Sequence, residues 1–212
     1  MKENEKEKEK EKESFKIITL GDSFVGKTTL LKKYVYNIFD ENISNTVGMN
    51  ITFKDITLKN NEKISLKLVD TAGTEKYKSI SKQYFKNADG VLFMFSHDNI
   101  ESFEHITSWM DIYNQSGYNE KNVPKCLIGN KNDLELNVGQ EAIDEFLKNN
   151  EDFIYKSVSA KNDTEKINIL FQEFGEKIYE ESKKYKDIKG KTIKISSEKK
   201  KEKRKCVMKC LM

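Results

Sequence analysis

The fold of this chain is decided by two adjoining stretches, FKIITL at residues 15–20 and GDSFVGKT at residues 21–28. The first is an apolar run of strand length, and helix-like residues 29–34 follow the second directly. The second has the pattern G-x-x-x-x-G-K-T, whose glycines let the backbone turn with its N–H groups pointing inward. A strand, a glycine loop and a helix N-terminus in this order form a cradle for phosphate groups. A chance match in a lysine-rich chain is the alternative, but the flanking patterns favour a nucleoside triphosphate site.

The positions of this loop have predicted parts in holding the ligand. Lys27 is expected to reach the outer phosphates, and the Thr28 hydroxyl is expected to ligate Mg²⁺. Further phosphate contacts are expected from the loop and the first helical turn, at Ser23, Phe24, Val25, Gly26 and Thr29. The loop therefore predicts both a nucleotide and its metal ion.

Length and charge indicate one domain with two tails. Residues 1–14 are predicted to be a disordered extension, because residues 2–13 contain no apolar side chain that could repay the entropy of ordering. Residues 15–184 are predicted to form the domain, and residues 185–212 a flexible tail. Residues 183–205 carry twelve Lys or Arg against three Asp or Glu, although the net charge of the chain is only +3. Such a basic tail suits nucleic acid, an acidic partner or an anionic membrane.

The cysteines and the apolar runs bear on the compartment. Cys126, Cys206 and Cys210 lack metal-ligand spacing and indicate a reducing environment. No apolar run approaches the roughly 18 residues that span a bilayer, and the charged N-terminus is not a signal peptide. Cys126 lies in an apolar run and is expected to be a small core residue. His97 and His105 have no nucleophile or ligand cluster nearby in the sequence and are expected to be solvated or structural.

Strand-like and helix-like segments alternate along the predicted domain. Residues 51–58 and 63–70 flank an Asn-Asn-Glu turn and predict a hairpin with one solvated face. The unbroken apolar runs 91–95 and 126–128 are typical of parallel strands covered on both sides. Helical spacing predicts two core-facing stripes, Phe103, Ile106, Met110 and Tyr113 in one and Ile167, Leu170, Phe171, Phe174 and Ile178 in the other. The pattern predicts an α/β fold with a mostly parallel sheet, whose ligands bind beyond the carboxyl ends of the strands.

A second motif, D-T-A-G at residues 70–73, comes at such a strand end. An acidic residue there, Asp70, would hold the Mg²⁺ shell, and the Gly73 N–H would meet a γ-phosphate. Alone, the pattern D-x-x-G matches an ordinary turn as well as a phosphate sensor. Its place after a strand, downstream of the phosphate loop, favours the sensor.

Two more motifs point to the base. N-K-N-D at residues 130–133 follows an apolar run, and the Asp133 carboxylate suits the paired N–H donors of guanine, which adenine lacks. S-A-K at residues 159–161 follows the next strand, where the Ala160 N–H would meet guanine O6. Either motif alone matches an ordinary loop. All four motifs together, in order and at strand ends, favour a guanine nucleotide.

Residues 15–184, about four fifths of the chain, resemble the Ras superfamily of small GTPases and most closely its Rab family. Besides the phosphate loop, T-V-G-M-N-I at residues 46–51 is similar to the Rab segment T-I-G-V-D-F, and D-T-A-G-T-E-K-Y at residues 70–77 to D-T-A-G-Q-E-R-F. Y-F-K-N-A at residues 84–88 is similar to Y-Y-R-G-A. E-S-F at residues 101–103 is followed by a Trp six residues after the Phe, as in the family.

The resemblance implies a P-loop small G domain: a six-stranded, mostly parallel sheet with one antiparallel edge strand and helices on both faces. It implies GTP or GDP as the ligand with Mg²⁺, and Thr46 completing the metal shell in the GTP state. Phe39 would lie against the guanine ring, although spacing alone would make it a core residue at a helix end. The base contacts would come from Asn130, Lys131, Asp133, Ser159, Ala160 and Lys161. GTP hydrolysis would depend on Lys27, Thr46, Gly73 and Thr74.

The resemblance also implies a molecular switch in vesicle or membrane trafficking. Residues 40–48 and 73–81 would be the moving switches that bind effectors. An exchange factor and a GTPase-activating protein would be further partners of a monomer that binds no nucleic acid. Its expected place is the cytoplasm, peripheral on the cytosolic face of an intracellular membrane. A constitutively GTP-loaded binding module and a Ras- or Rho-type signalling GTPase are the alternatives.

Four positions depart from the Rab pattern. The Gln that usually follows D-T-A-G and orients the attacking water is Thr74, which is shorter, so slow hydrolysis is expected. Phe24 stands where the Rab loop has a small residue and is expected to shield or crowd the γ-phosphate. Val69 and Ser96 replace a Trp and an Asp that are usual in Rab proteins.

The C-terminus predicts lipidation of Cys206, Cys210 or both, beside the basic residues 199–205. One lipid chain together with a polybasic patch anchors a protein more firmly than either signal alone. The final K-C-L-M does not match C-a-a-X, and three residues separate the cysteines, whereas Rab cysteine pairs are adjacent or one apart. Prenylation is expected, palmitoylation is the alternative, and a soluble basic tail that binds acidic partners is a third hypothesis.

Overall fold

The computed structural model describes residues 12–40, 48–71, 82–117 and 123–209, with side chains except at residues 82–83 and 189–209. Its strands are β1 (Glu13–Leu20), β2 (Met49–Thr57), β3 (Lys63–Thr71), β4 (Gly90–Ser96), β5 (Lys125–Asn130) and β6 (Phe153–Ser157). Its helices are α1 (Lys27–Tyr36), α2 (Lys82–Phe85), α3 (Ile100–Glu104), α4 (Ile106–Asn114), α5 (Gln140–Asn149) and α6 (Thr164–Lys209).

The six strands form one sheet in the order β2-β3-β1-β4-β5-β6. β2 pairs antiparallel with β3, and the other neighbours pair parallel. The predicted α/β fold with one antiparallel edge strand is therefore confirmed. β4 is buried at every position, as its unbroken apolar sequence predicts, whereas β2 at the edge is largely exposed.

Apolar side chains cover both faces of the sheet. One core contains residues of α1 and α6, where the rings of Tyr34 and Phe171 stack with centroids 3.9 Å apart. The other core contains residues of α4 and α5. Gly90 at the start of β4 lets α6 approach, since a Cβ there would lie 2.5 Å from Cδ1 of Ile178. The carboxyl ends of β1, β3, β4 and β5 are thereby held in fixed positions.

The helical stripe that begins at Phe103 is divided in the structure. α3 and α4 are separate helices, with His105 as the turn residue between them. The Asn99 side chain caps α3 by accepting a hydrogen bond from the Ser102 N–H at 3.2 Å. Ile106 and Tyr113 are buried, so the prediction of a core-facing stripe holds despite the break.

The ends of the domain differ from the boundaries expected from the sequence. β1 already begins at Glu13, where it pairs with Ile64 of β3, two residues before the expected start of the domain. α6 continues to Lys209, across residues 185–209 for which the sequence predicts a flexible tail. The division into a domain and two tails stays a prediction. Among the described helices, none combines the length and apolar character needed to cross a membrane.

Candidate functional site

The glycine loop between β1 and α1 packs closely against β4 and against Asn130 at the end of β5. Gly21 has φ of 145°, and a Cβ there would lie 2.1 Å from the Met94 carbonyl oxygen in β4. Gly26 has φ of 93°, and a Cβ there would lie 2.3 Å from Nδ2 of Asn130. Both positions require a residue without a side chain, as the predicted phosphate loop does.

Lys27 lies inside this loop. Its side chain is only 5% exposed, and its Nζ donates to the carbonyls of Gly21 at 2.9 Å and Asp22 at 2.7 Å. Burial lowers the pKa of Lys27 to about 8, against the opposing effect of the Asp70 and Asp22 carboxylates. The loop thus holds a cation in a site shielded from water, where its attraction for an anion is less screened.

Thr28 and Asp70 meet at the carboxyl ends of β1 and β3. Oγ1 of Thr28 donates to Oδ2 of Asp70 at 2.7 Å, and Asp70 is 5% exposed. Oδ1 of Asp70 is buried and has no hydrogen-bond partner within the described parts of the chain. Burial raises the pKa of Asp70, against the opposing effects of the Thr28 hydroxyl, Lys27 and Lys32. A hydroxyl and a carboxylate with a spare oxygen are the hard ligands that Mg²⁺ takes, so this pair fits the ion.

Asp22 anchors the loop to α4, an arrangement that the sequence motifs did not reveal. Its Oδ1 accepts a hydrogen bond from Nε1 of Trp109 at 2.7 Å. Its Oδ2 lies 2.6 Å from Nδ1 of His105, which pairs the two residues ionically when the imidazole is protonated. Trp109 is one of the residues by which the chain resembles the family, but no sequence pattern identifies Asp22 as its hydrogen-bond partner.

Phe24 is the conformational outlier of the loop. It has φ of 65°, in the left-handed region that L-residues other than Gly, Asn and Asp rarely occupy, and its side chain is 71% exposed. An aromatic residue therefore stands at a strained position of the phosphate loop, with its ring mostly in solvent.

Asn130, the first residue of the N-K-N-D motif, joins the phosphate loop to the S-A-K motif. The residue is 1% exposed, and its Nδ2 donates to the Val25 carbonyl at 2.8 Å. Its Oδ1 accepts from the Ala160 N–H at 3.0 Å. The N–H group predicted to meet guanine O6 thus already has a protein acceptor. Contact with a guanine oxygen stays a prediction that requires this N–H to be shared between two acceptors.

The loop at residues 159–163 is shaped by its own side chains. Oγ of Ser159 accepts from the N–H groups of Lys161 and Asn162, both at 3.1 Å. The Asp163 carboxylate accepts from the Ser159 N–H at 2.9 Å. Nζ of Lys161 lies 5.9 Å from the ring centroid of Phe39, which is half-buried against the core. The residues after α1 and the S-A-K motif are therefore neighbours, as a shared base pocket requires.

The remaining base residues face outward. Lys131 has φ of 59°, and its Nζ lies 3.5 Å from Oδ2 of Asp98. Asp133 is exposed, where it is open to a ligand. Both histidine expectations hold in part: His97 is buried and structural, whereas half-exposed His105 contacts the phosphate loop through Asp22.

Several predicted residues lie outside the described residues. These are Thr46, Gly73, Thr74 and Cys210, with most of the two switches at residues 40–48 and 73–81; Cys206 lies in α6 without a described side chain. The roles predicted for them stay predictions.

Comparison with known proteins gives the family. The model of the Ras family matches residues 16–180. Ras-related protein Rab-9A of Rattus norvegicus is 34% identical over 153 residues, which is 71% of this chain and 76% of that protein. Ras-related protein Rab-9B of Homo sapiens is 34% identical over 161 residues, 74% and 79% of the two chains. Ras-related protein Rab-32B of Dictyostelium discoideum is 32% identical, over 71% of this chain and 59% of that protein. The chain belongs to the Ras family, as a Rab-like small GTPase.

Proposed function

We propose that this protein is a switch that binds GTP and GDP together with Mg²⁺ and controls a step of intracellular membrane trafficking. The observation that carries the proposal is the group of Lys27, Thr28 and Asp70 at the carboxyl ends of β1 and β3. A buried ammonium, a hydroxyl and a carboxylate, one oxygen of which has no hydrogen-bond partner among the described residues, lie against a loop that requires glycine at residues 21 and 26. This donor set matches the requirements of a magnesium-bound triphosphate.

On the phosphate side, Lys27 would leave the two loop carbonyls for the outer phosphates. The N–H groups of residues 23–29 would surround the inner phosphates at the start of α1. Thr28 and Asp70 would hold Mg²⁺, with Thr46 joining in the GTP state. When bound, the ion offsets the negative charge of the phosphates.

On the base side, Asp133 would accept the two N–H donors of guanine. Asn130 would keep the N-K-N-D and S-A-K loops together, as its hydrogen bonds to Val25 and Ala160 support. Lys131, Ser159 and Lys161 would shape the rest of the pocket, and Phe39 would cover the ring. Charge-assisted hydrogen bonds to Asp133 would favour guanine over adenine.

Hydrolysis would depend on positioning and electrostatics rather than on a side-chain nucleophile. Thr74 is too short to place an oxygen where the usual Gln amide reaches the attacking water. We therefore infer an intrinsic rate at or below the roughly 10⁻⁴ s⁻¹ of unaided Ras-type enzymes. A constitutively GTP-loaded module with negligible hydrolysis is the second candidate, and Thr74 favours it.

The switches at residues 40–48 and 73–81 would bind effectors in the GTP form and release them after hydrolysis. An exchange factor and a GTPase-activating protein would set the timing. The basic C-terminal segment with Cys206 and Cys210 would attach the protein to the cytosolic face of an intracellular membrane. Mass spectrometry of the C-terminal peptide from native cells tests the lipid, and unmodified cysteines would contradict it.

Single-turnover hydrolysis of bound GTP tests the switch most directly. The parent and Thr74→Gln are compared, each with and without a Rab-type GTPase-activating protein. We expect slow parent turnover, acceleration by the activator, and faster intrinsic turnover in Thr74→Gln. An intrinsic hydrolysis rate of the parent well above roughly 10⁻⁴ s⁻¹ would show that Thr74 does not slow hydrolysis. A parent that the activator leaves unchanged would favour the constitutively loaded module.

A further inference from the structure

His97 stands at the junction of the elements that carry the base motifs. Its backbone N–H donates to the Asn130 carbonyl at 2.9 Å. Its carbonyl accepts from the N–H groups of Asn137 at 2.8 Å and Val138 at 3.3 Å. The two ends of residues 130–138 are thereby tied to one residue at the end of β4. Asp133 is carried by the loop between these two ties.

The His97 side chain reaches a third element, the end of β6. Nε2 of the imidazole lies 3.0 Å from Oγ of Ser157. The same oxygen accepts a hydrogen bond from Nδ2 of Asn132 at 3.3 Å, and the Asn132 N–H donates to the Val158 carbonyl at 3.3 Å. A continuous path of hydrogen bonds therefore leads from His97 through Ser157 to Asn132, which directly precedes Asp133.

The imidazole has little room to move. It is 4% exposed, and its ring packs edge-on against Phe95 with centroids 5.1 Å apart. A Cβ on Gly129 would lie 2.4 Å from Nε2 of His97, so the imidazole can occupy this position only because residue 129 has no side chain. Nδ1 is buried and has no hydrogen-bond partner within the described parts of the chain. The ring is thus held by packing on one side and by Ser157 on the other.

We propose that His97 is a positioning residue for the guanine-binding loop, whose neutral imidazole keeps Ser157 and Asn132 in register so that Asp133 faces the base. The inference rests on the proposed function, because it assigns a further residue to the same nucleotide site. It differs from a purely structural role in one respect: the charge on the imidazole controls how long the nucleotide stays bound.

Protonation would disturb this arrangement for a simple reason. In the neutral ring only one nitrogen carries a proton, so Nε2 can accept from the Ser157 hydroxyl or donate to it. In the imidazolium both nitrogens are donors, so Nε2 can only donate to Ser157 Oγ, and the buried Nδ1–H has no acceptor within the described parts of the chain. Burial lowers the pKa of His97, and the Asp98 carboxylate opposes this. The other titratable groups that face this region are Tyr155, whose hydroxyl lies 3.5 Å from Nε2, and Lys131, which pairs with Asp98. The neutral form is therefore the one that the folded site accommodates.

The experiment measures dissociation of a fluorescent GDP analogue from the full chain, chased by excess GDP. His97→Leu removes the hydrogen bond to Ser157, whereas His97→Gln keeps a polar atom near Nε2. We expect about tenfold faster release from His97→Leu, as for a lost buried hydrogen bond whose partner stays behind, and near-parental release from His97→Gln. Ile178→Ala, in the core at the opposite end of the sheet, is the control: it should lower the melting temperature without changing the rate.

The pH profile separates positioning from structure. Because burial lowers the pKa of His97, release from the parent should quicken only as the pH falls below the ordinary histidine pKa of about 6.5. Release from His97→Gln should change less, because that side chain does not titrate. Ser157→Ala should raise the rate by itself, and His97→Leu combined with Ser157→Ala should add little further, since both break the same path. This second variant keeps the test valid if His97→Leu does not fold.

The outcomes separate this inference from the proposed function. A parent that fails to bind the GDP analogue would overturn the proposed function. A parent that binds it, with parental release rates in His97→Leu and Ser157→Ala, would overturn only the role of His97. If the release rate changed equally with pH in the parent and in His97→Gln, the charge on the imidazole would not control release, and the proposal would be overturned.

Discussion

The two halves of the site are built on different principles. The phosphate side, residues 21–28 with Asp70 of β3, buries charge: Lys27 and Asp70 are both 5% exposed, and the loop before Lys27 demands glycine at residues 21 and 26. The base side, residues 130–138 and 157–163, is held by amides and hydroxyls together with the Asp163 carboxylate, with Asp133 exposed at its surface. Asn130 belongs to both halves, because it bonds Val25 on one side and Ala160 on the other.

The difference teaches where each half obtains its selectivity. Under the proposed function, a buried ammonium and carboxylate would attract any magnesium-bound phosphate chain, so the phosphate side would bind strongly without distinguishing the base. Under the proposed function, the base side would discriminate through the single exposed carboxylate of Asp133, on a loop whose neighbours are held by hydrogen bonds. Affinity and specificity are therefore separable, and substitutions should alter one without the other.

The largest expected effect lies on the base side, at Asp133. Asp133→Asn presents an amide where the base needs two acceptors, and each charge-assisted hydrogen bond contributes roughly 1.5–3 kcal/mol. We expect the affinity for GTP to fall by about a hundredfold or more, and the affinity for xanthosine triphosphate to rise. Equilibrium titration with both nucleotides measures this.

Asp152→Asn is the control for Asp133→Asn. Asp152 is an acidic residue paired with Lys125 before β6, away from the motif, and its substitution should leave both affinities unchanged. A parent protein that prefers ATP to GTP would contradict the assignment of the base side altogether.

The next effect concerns Asn130, the residue shared by both halves. Asn130→Ala leaves the Val25 carbonyl and the Ala160 N–H buried without partners, at about 1–3 kcal/mol each. We expect the free energy of unfolding to fall by about 2–4 kcal/mol, measured by urea denaturation at a fixed GDP concentration. Asn150→Ala removes one amide hydrogen bond, to the Phe146 carbonyl at the end of α5, and should cost less. Equal losses would show that Asn130 is no special junction.

The sequence predicts the phosphate side better than the base side, and the reason is physical. Gly21, Gly26, Lys27 and Thr28 act through local backbone geometry, so a single octet of residues reveals them. The partners of Asp22 are instead Trp109 of α4 and His105 just before that helix, some eighty residues away, and no local pattern marks such a contact.

The base side shows the same limit at His97. Because no nucleophile or ligand cluster lies near it in the sequence, His97 is expected to be solvated or structural, and its burial agrees with a structural place. Its link to Ser157 appears only when β4 and β6 are brought to either side of β5. Strands and core stripes were predictable because burial imposes a period on the sequence, whereas hydrogen bonds between distant elements impose none.

The third prediction returns to the phosphate side. Trp109→Phe removes the hydrogen bond to the Asp22 carboxylate while keeping an aromatic ring, and should lower the free energy of unfolding by about 1–2 kcal/mol. Tyr113→Phe, one turn further along α4, is a matched control because its buried hydroxyl has no partner within the described parts of the chain. Urea denaturation should show a loss for Trp109→Phe and little change for Tyr113→Phe. The reverse order would mean that the carboxylate of Asp22 does not anchor the loop.

The smallest expected effect is a gain in stability at Phe24, which would show that the phosphate side stores backbone strain. A left-handed conformation costs an L-residue about 1–2 kcal/mol, and the exposed ring recovers little of this by burial. Glycine adopts the conformation freely but adds freedom to the unfolded chain, so Phe24→Gly should raise the free energy of unfolding by about 0.5–1 kcal/mol, or the melting temperature by about 2 °C.

Asn61→Gly is the control: Asn61 has φ of 64° in the β2–β3 turn, and Asn tolerates this region, so its gain in stability should be smaller. A lower melting temperature for Phe24→Gly would show that contacts of the ring outweigh the strain of its backbone. A gain would mean that the chain retains a destabilising aromatic residue at the mouth of its phosphate loop, which is the pattern expected of a residue kept for function.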